Sequence, residues 1–149
     1  MLRIFILTVL IISKSNTPNF TSSKTTLLTK GTQKSWRISS ITPDESCSSS
    51  SDDQWIFFAN GSFEFNHGVI TDDKTNECSD MVNIIGTWEF ANNESKLKIN
   101  ALHEKGNTAN AVTMTILDAS ILVLNDDQLK LLQTDPASGA TATIEFSKK

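Results

Sequence analysis

Residue types able to do covalent, acid–base or metal chemistry are few in this chain. Cysteine occurs at Cys47 and Cys78, and histidine at His67 and His103. The cysteines stand thirty-one positions apart, and neither histidine completes a zinc-ligand interval with them. Nucleophilic catalysis needs a base held beside the nucleophile. His67 precedes Gly68 and His103 precedes Glu104 in segments that read as loops, and no Gly-x-Ser-x-Gly elbow occurs. Carboxylates are paired at Asp52-Asp53, Asp72-Asp73 and Asp126-Asp127. Neighbours on a strand point to opposite faces, and in turns such pairs are ordinarily solvated. Residues 71–80 gather Asp72, Asp73, Glu77 and Asp80, a density that suits calcium, but the Asp-x-Asp-x-Asp-Gly spacing is missing. A solvated acidic loop is the plainer reading. The expectation is a non-enzymatic protein with no catalytic residue, no metal site and no cofactor.

The elements that would position any site are organised around one stretch, residues 55–65, which holds four of the eight Phe and one of the three Trp. Two apolar runs meet there at Asn60-Gly61, the strongest short-range hairpin signal. A two-residue loop would pair Phe58 with Phe63 and Ile56 with Phe65. A three-residue loop, with Gly61 left-handed as a bulge, pairs Phe57 with Phe63 and Trp55 with Phe65. One residue of slip exchanges the faces completely. The second register sorts four aromatics onto one face and leaves Ser62, Glu64 and Asn66 on the other, so it is the expected one. It predicts a buried Trp55 and leaves Ile56 and Phe58 on the polar side.

Bulk properties set the class. A chain of 149 residues with 38% hydrophobic and 20% charged residues has the make-up of one globular domain with a real core. The net charge of −4 and the scattered basic residues exclude the basic stripe of a nucleic-acid surface. Helical periodicity is confined to residues 25–30, with Leu27 and Leu28 inward and Gly31 as the stop. Short alternating segments come next. Trp36, Ile38 and Ser40 share a face, as do Ile84, Gly86, Trp88 and Phe90, then Leu97 and Ile99, then Val112, Met114 and Ile116. Turns are expected at Asn92-Asn93, Asp118-Ala119, Asp126-Asp127 and residues 135–139, and Ala142, Ile144 and Phe146 align in the last strand. About nine short strands with regular turns predict an all-β antiparallel up-and-down barrel, closure removing the exposed edges.

The N-terminus reads as a leader. One early Arg and about nine apolar residues match the n- and h-regions of a secretory signal over residues 1–15, far short of a membrane span. Residues 16–24 form a polar linker, and 25–149 the barrel domain. In an exported chain an even cysteine count indicates a bridge. A Cys47–Cys78 disulfide closing about thirty residues would stabilise the fold by about 3–4 kcal/mol in the chain-entropy model.

The order Leu27-Leu28, Trp36, Pro43-Asp44, Cys47, Asp52-Asp53-x-Trp55-x-Phe57, Gly61-x-Phe63, Cys78 and Gly86-Thr87-Trp88, with residues 122–124 and a Thr-rich last strand after them, resembles the small lipocalin-like proteins of Bacteroidetes over residues 25–147. That resemblance implies an exported, calycin-like barrel without enzymatic activity, and it agrees with the Phe57–Phe63 register. Many relatives carry a lipid-anchoring cysteine just after the leader. Neither cysteine lies there, so no lipid anchor is expected. Function is then expected to be binding of a small hydrophobic ligand in the barrel, lined by the inward aromatics Trp36, Trp55, Phe57, Phe63, Phe65, Trp88 and Phe90. The alternative is an envelope or secreted interaction protein with a filled barrel, acting through its acidic and serine-rich loops.

Overall fold

The computed structural model describes residues 23–43, 53–67, 83–104 and 114–149. The leader, most of the 16–24 linker, the Cys47–Cys78 pair and the acidic 71–80 segment fall outside the described residues. A short helix, α1 (Ser23–Thr29), precedes eight strands: β1 (Gln33–Thr42), β2 (Gln54–Phe58), β3 (Ser62–Asn66), β4 (Ile84–Ala91), β5 (Lys96–Glu104), β6 (Met114–Leu124), β7 (Gln128–Thr134) and β8 (Thr141–Lys148). Each strand pairs antiparallel with the next, and β1 pairs with β8 to close an up-and-down barrel. The all-β class and the short N-terminal helix are as expected. The helix begins two residues earlier than expected, inside the stretch read as linker.

The hairpin adopts the three-residue loop. Trp55 pairs with Phe65 and Phe57 with Phe63. Gly61 sits at φ 85°, where a side chain would be strained, and its N–H donates to Phe58 O at 3.0 Å. Ile56 and Phe58 face outward, half-buried, as that register requires.

Three expectations about the strands are corrected, two of them by bulges. The strands number eight because residues 114–124 form one strand through the expected Asp118-Ala119 turn. Asp118 points out to Lys96 at 3.1 Å and Ala119 points into the core, so the pair satisfies a strand as well as it would a turn. A bulge beside Ile38 turns Ser40 outward and brings Ile41 into the inward row. Another bulge, opposite Ile99 and Asn100, breaks the Met114–Ile116 alternation. Leu117 becomes the buried residue, Ile116 still packs against the core, and Met114, paired with the inward Ala101, is 59% exposed. A bulged strand gains one unpaired residue, and the inward set moves by one.

Gly86 marks a close approach of backbones. Its register with β5 shifts beside Ile85, and a Cβ placed there would lie 2.2 Å from Asn100 O. Only glycine fits.

The two ends of the barrel are built differently. At one end lie α1 and three tight connections, residues 59–61, 92–95 and 125–127. Trp36 Nε1 donates to Leu28 O at 3.0 Å, fastening the helix over the barrel, and both side chains are 0% exposed. Lys34 lays its ammonium 3.8 Å from the Trp36 ring and donates to Leu27 O (3.1 Å) and Asp126 O (2.7 Å). Lys24 reaches Glu94 O from the helix at 2.5 Å. Burial lowers the Lys34 pKa below the ordinary lysine value, a shift that Asp126 and Asp127 partly oppose. These contacts fasten the helix to the barrel and its turns. This is the closed end.

Candidate functional site at the barrel mouth

The opposite end receives the connections β1–β2, β3–β4, β5–β6 and β7–β8, the first three of them long. Inward side chains change character along the barrel. Toward the closed end Phe57, Phe63, Trp88, Leu97, Leu129 and Phe146 are all but completely buried. Toward the mouth Trp55, Ile38, Ile41 and Ile84 are only half-buried, although they pack on the same core. Phe65, Ala101 and Ile144 between them keep a trace of exposure.

The seven aromatics singled out in the sequence divide accordingly. Phe57 lies 5.3 Å from Phe63 and 6.1 Å from Trp88, ring centre to ring centre, and these three fill the lower barrel with Trp36 beside the helix. Trp88 Nε1 donates to Phe58 O at 2.9 Å, and Phe90 stacks edge-on to Trp88 at 5.3 Å, half-buried near the closed end. Trp55 and Phe65 lie nearest the mouth, 5.4 Å apart and edge-on, with Phe146 the same distance from Trp55 on the other side. Edge-to-face pairs at these separations are the favoured geometry of aromatic packing. Trp55 is thus held by its neighbours without being fully enclosed.

A polar pair sits directly above these rings. The Asp53 carboxylate, 2% exposed, lies 2.8 Å from Nδ1 of His67, whose side chain is 13% exposed. The His67 ring centre is 6.3 Å from that of Phe65. His67 is placed by its own N–H, which donates to Asn83 Oδ1 at 2.7 Å and ties the end of β3 to the start of β4. The approach of Nδ1 to Asp53 has ion-pair length but misses hydrogen-bond alignment. Both ring nitrogens are shielded from solvent and make no hydrogen bond among the described residues. Trp55 Nε1 is in the same condition.

The carboxylate pairs noted in the sequence part company. Asp53 faces the lumen, Asp52 and Asp72-Asp73 lie outside the described residues, and Asp126-Asp127 caps the closed end. There Asp127 pairs with Lys148, and Asp126 lends its carbonyl to Lys34. The histidines also separate: His103 lies on β5, with Nδ1 2.9 Å from Glu104 O, and in register with the outward Ile85. Reading both histidines as loop residues missed the Asp53–His67 pair. The signal was present in the hairpin register. Gln54 pairs with Asn66, so one further step sets Asp53 opposite His67 on the inward face.

Among the described residues no group of three or more His, Cys, Asp or Glu is disposed to hold a metal, and no helix is long and apolar enough to cross a membrane. No family model matches the chain, and no curated protein or solved structure matches it significantly.

Proposed function

We propose that this chain is a lipocalin-like binding module, exported from the cell, that takes a small and largely apolar molecule into the mouth of its barrel. The observation that carries the reading is the half-burial of Trp55, Ile38, Ile41 and Ile84 on inward faces, above a lower barrel in which Phe57, Phe63, Trp88, Leu97 and Leu129 are buried outright. Apolar side chains in a core are ordinarily buried outright, and a concave apolar surface with a few convergent polar groups is the usual form of a small-molecule site. An eight-stranded barrel is wide enough for its own side chains or for one small ligand. Here the closed half does the first and the mouth half does the second. Trp55 and Phe65 are the proposed lining aromatics, while Trp36, Phe57, Phe63, Trp88 and Phe90 serve the packed half.

Uptake of the uncharged dye N-phenyl-1-naphthylamine tests this reading. Saturable one-to-one binding with quenching of Trp55 fluorescence supports it, and no uptake up to the dye's solubility overturns it. A second reading, a protein-binding surface made by the connections, is favoured by the gathering of all three long connections at the same end. Native mass spectrometry of protein purified gently from its host separates the two. A discrete added mass lost on organic extraction belongs to the first reading, and a co-purifying polypeptide to the second.

A further inference from the structure

Met114 opens β6 at the mouth of the barrel, where an inward-facing thioether meets solvent. We propose that Met114 is an oxidation site that regulates the mouth: a peroxide converts its thioether to the sulfoxide, which weakens the hold on an apolar ligand, and reduction restores it. The inference rests on the binding reading above and adds its regulation.

Register places the side chain. Phe57 pairs with Phe63, Phe63 with Gly86, Gly86 with Ala101 and Ala101 with Met114, one row running from β2 to β6. Side chains paired across antiparallel strands share a face, and Phe57, Phe63 and Ala101 are all buried within the barrel. The next residue, Thr115, points the other way, its hydroxyl donating to Asn100 Oδ1 at 2.7 Å on the outer wall. Met114 therefore faces the lumen. Barrel strands tilt, so a row of paired residues climbs the wall. This row starts at the packed Phe57–Phe63 pair and ends at the mouth, where Met114 is 59% exposed.

The rest of the row leaves that thioether room to move. Gly86 has no side chain and Ala101 only a methyl, so the wall between Phe63 and Met114 carries little bulk. Methionine is unbranched, with three rotatable bonds and a polarisable sulfur, and it adapts to irregular apolar surfaces. At this position it can close over Ala101 or lie along a bound molecule.

Sulfur chemistry supplies the control. A lone pair on Met114 Sδ attacks an oxygen of the peroxide, and the O–O bond breaks as the S–O bond forms. Sulfur gives up two electrons, and the peroxide leaves as an alcohol, or as water from hydrogen peroxide. The product is polar where the thioether was apolar, and methionine sulfoxide reductases reverse it, with thiols taking up the oxygen as water. Exposure puts the side chain within reach of the oxidant, and position puts the new dipole on the apolar rim.

Hydrogen peroxide treatment of the full chain, followed by removal of the oxidant, peptide mass mapping and dye titration, tests the assignment. Met114 should gain one oxygen while the denaturation midpoint stays in place, because the side chain is largely outside the core. Affinity for N-phenyl-1-naphthylamine should fall about fivefold, the loss of part of one methionine's apolar contact, and methionine sulfoxide reductase should restore it. Met114→Leu keeps an apolar rim without the sulfur, so it should bind the dye as the wild type does and lose the sensitivity to peroxide. Oxidised Met114 with unchanged dye affinity, a Met114→Leu variant as sensitive as the wild type, or a Met114 that resists peroxide until the protein unfolds would each overturn the inference and leave the pocket standing. Failure of the untreated protein to take up the dye would instead remove the binding reading on which the inference rests.

Discussion

The closed end and the mouth of this barrel use the same residue, tryptophan, to opposite effect. Trp36 is wholly buried, its indole N–H spent on Leu28 O, and Lys34 lies over its ring. Trp55 is half-buried, its N–H has no partner among the described residues, and the polar pair above it is itself imperfectly aligned. Both rings stand on inward faces of paired strands, directly in register with each other. The difference lies in the segments that surround them. Beside Trp36 the helix and a tight turn supply carbonyls to the indole N–H and to the Lys34 ammonium. Beside Trp55 the strands open into long connections. Packing at one end and incomplete satisfaction at the other separate stability from recognition within one continuous sheet.

If that division is real, substitutions at the two ends should differ in kind. Trp36→Ala should cost the most, about 4 kcal/mol, because it opens a large cavity and releases the helix cap; chemical denaturation reads the loss, which should leave any ligand preference of the folded protein unchanged. Gly86→Ala comes next. The added methyl meets backbone, the Asn100 carbonyl and the Ala101 Cα, so β4 and β5 must part, at a cost of about 3 kcal/mol. Trp55→Ala should cost less, about 2 kcal/mol, since part of the ring is already in water, and its larger effect should fall on dye binding. A Trp55→Ala loss equal to that of Trp36→Ala would erase the distinction between the ends.

The smallest effect is electrostatic. The Asp127 carboxyl is held below its ordinary pKa, chiefly by the hydrogen bond from Lys148, and the same contact raises the pKa of Lys148. Asp127's contribution to stability is present above the usual carboxylate pKa and lost as pH falls through the lowered one. Lys148's is present below the usual lysine pKa and lost as pH rises through the raised one. Both groups are exposed, so Lys148→Met should return the Asp127 titration toward its ordinary range by carboxyl NMR while barely moving the unfolding midpoint.

The parts of this architecture that were legible in the sequence are those governed by local alternation. The hairpin register could be chosen because a one-residue slip sends Trp55 and Phe57 to the wrong face, and the inward rows of β4 and β8 come from simple period-two spacing. Bulges were not legible. The extra residues in β1, β5 and β6 depend on what the partner strand offers, as the Asn100 carbonyl against Gly86 shows, and a single sequence does not record that. Asp118-Ala119 reads as a turn until Lys96 is brought opposite Asp118. The Asp53–His67 pair lies between these cases. It emerges from the hairpin register taken one step past the last aromatic pair, but a histidine before glycine and an aspartate after aspartate look like loop chemistry when each is taken alone.

The three indole N–H groups give the most direct test of the central claim, that the barrel is packed below and receptive above. In a 1H–15N spectrum titrated with N-phenyl-1-naphthylamine, the Trp55 indole resonance should shift progressively to saturation. Those of Trp36 and Trp88, bound to the Leu28 and Phe58 carbonyls, should stay in place. A static Trp55 signal, or equal movement of all three, would contradict the account.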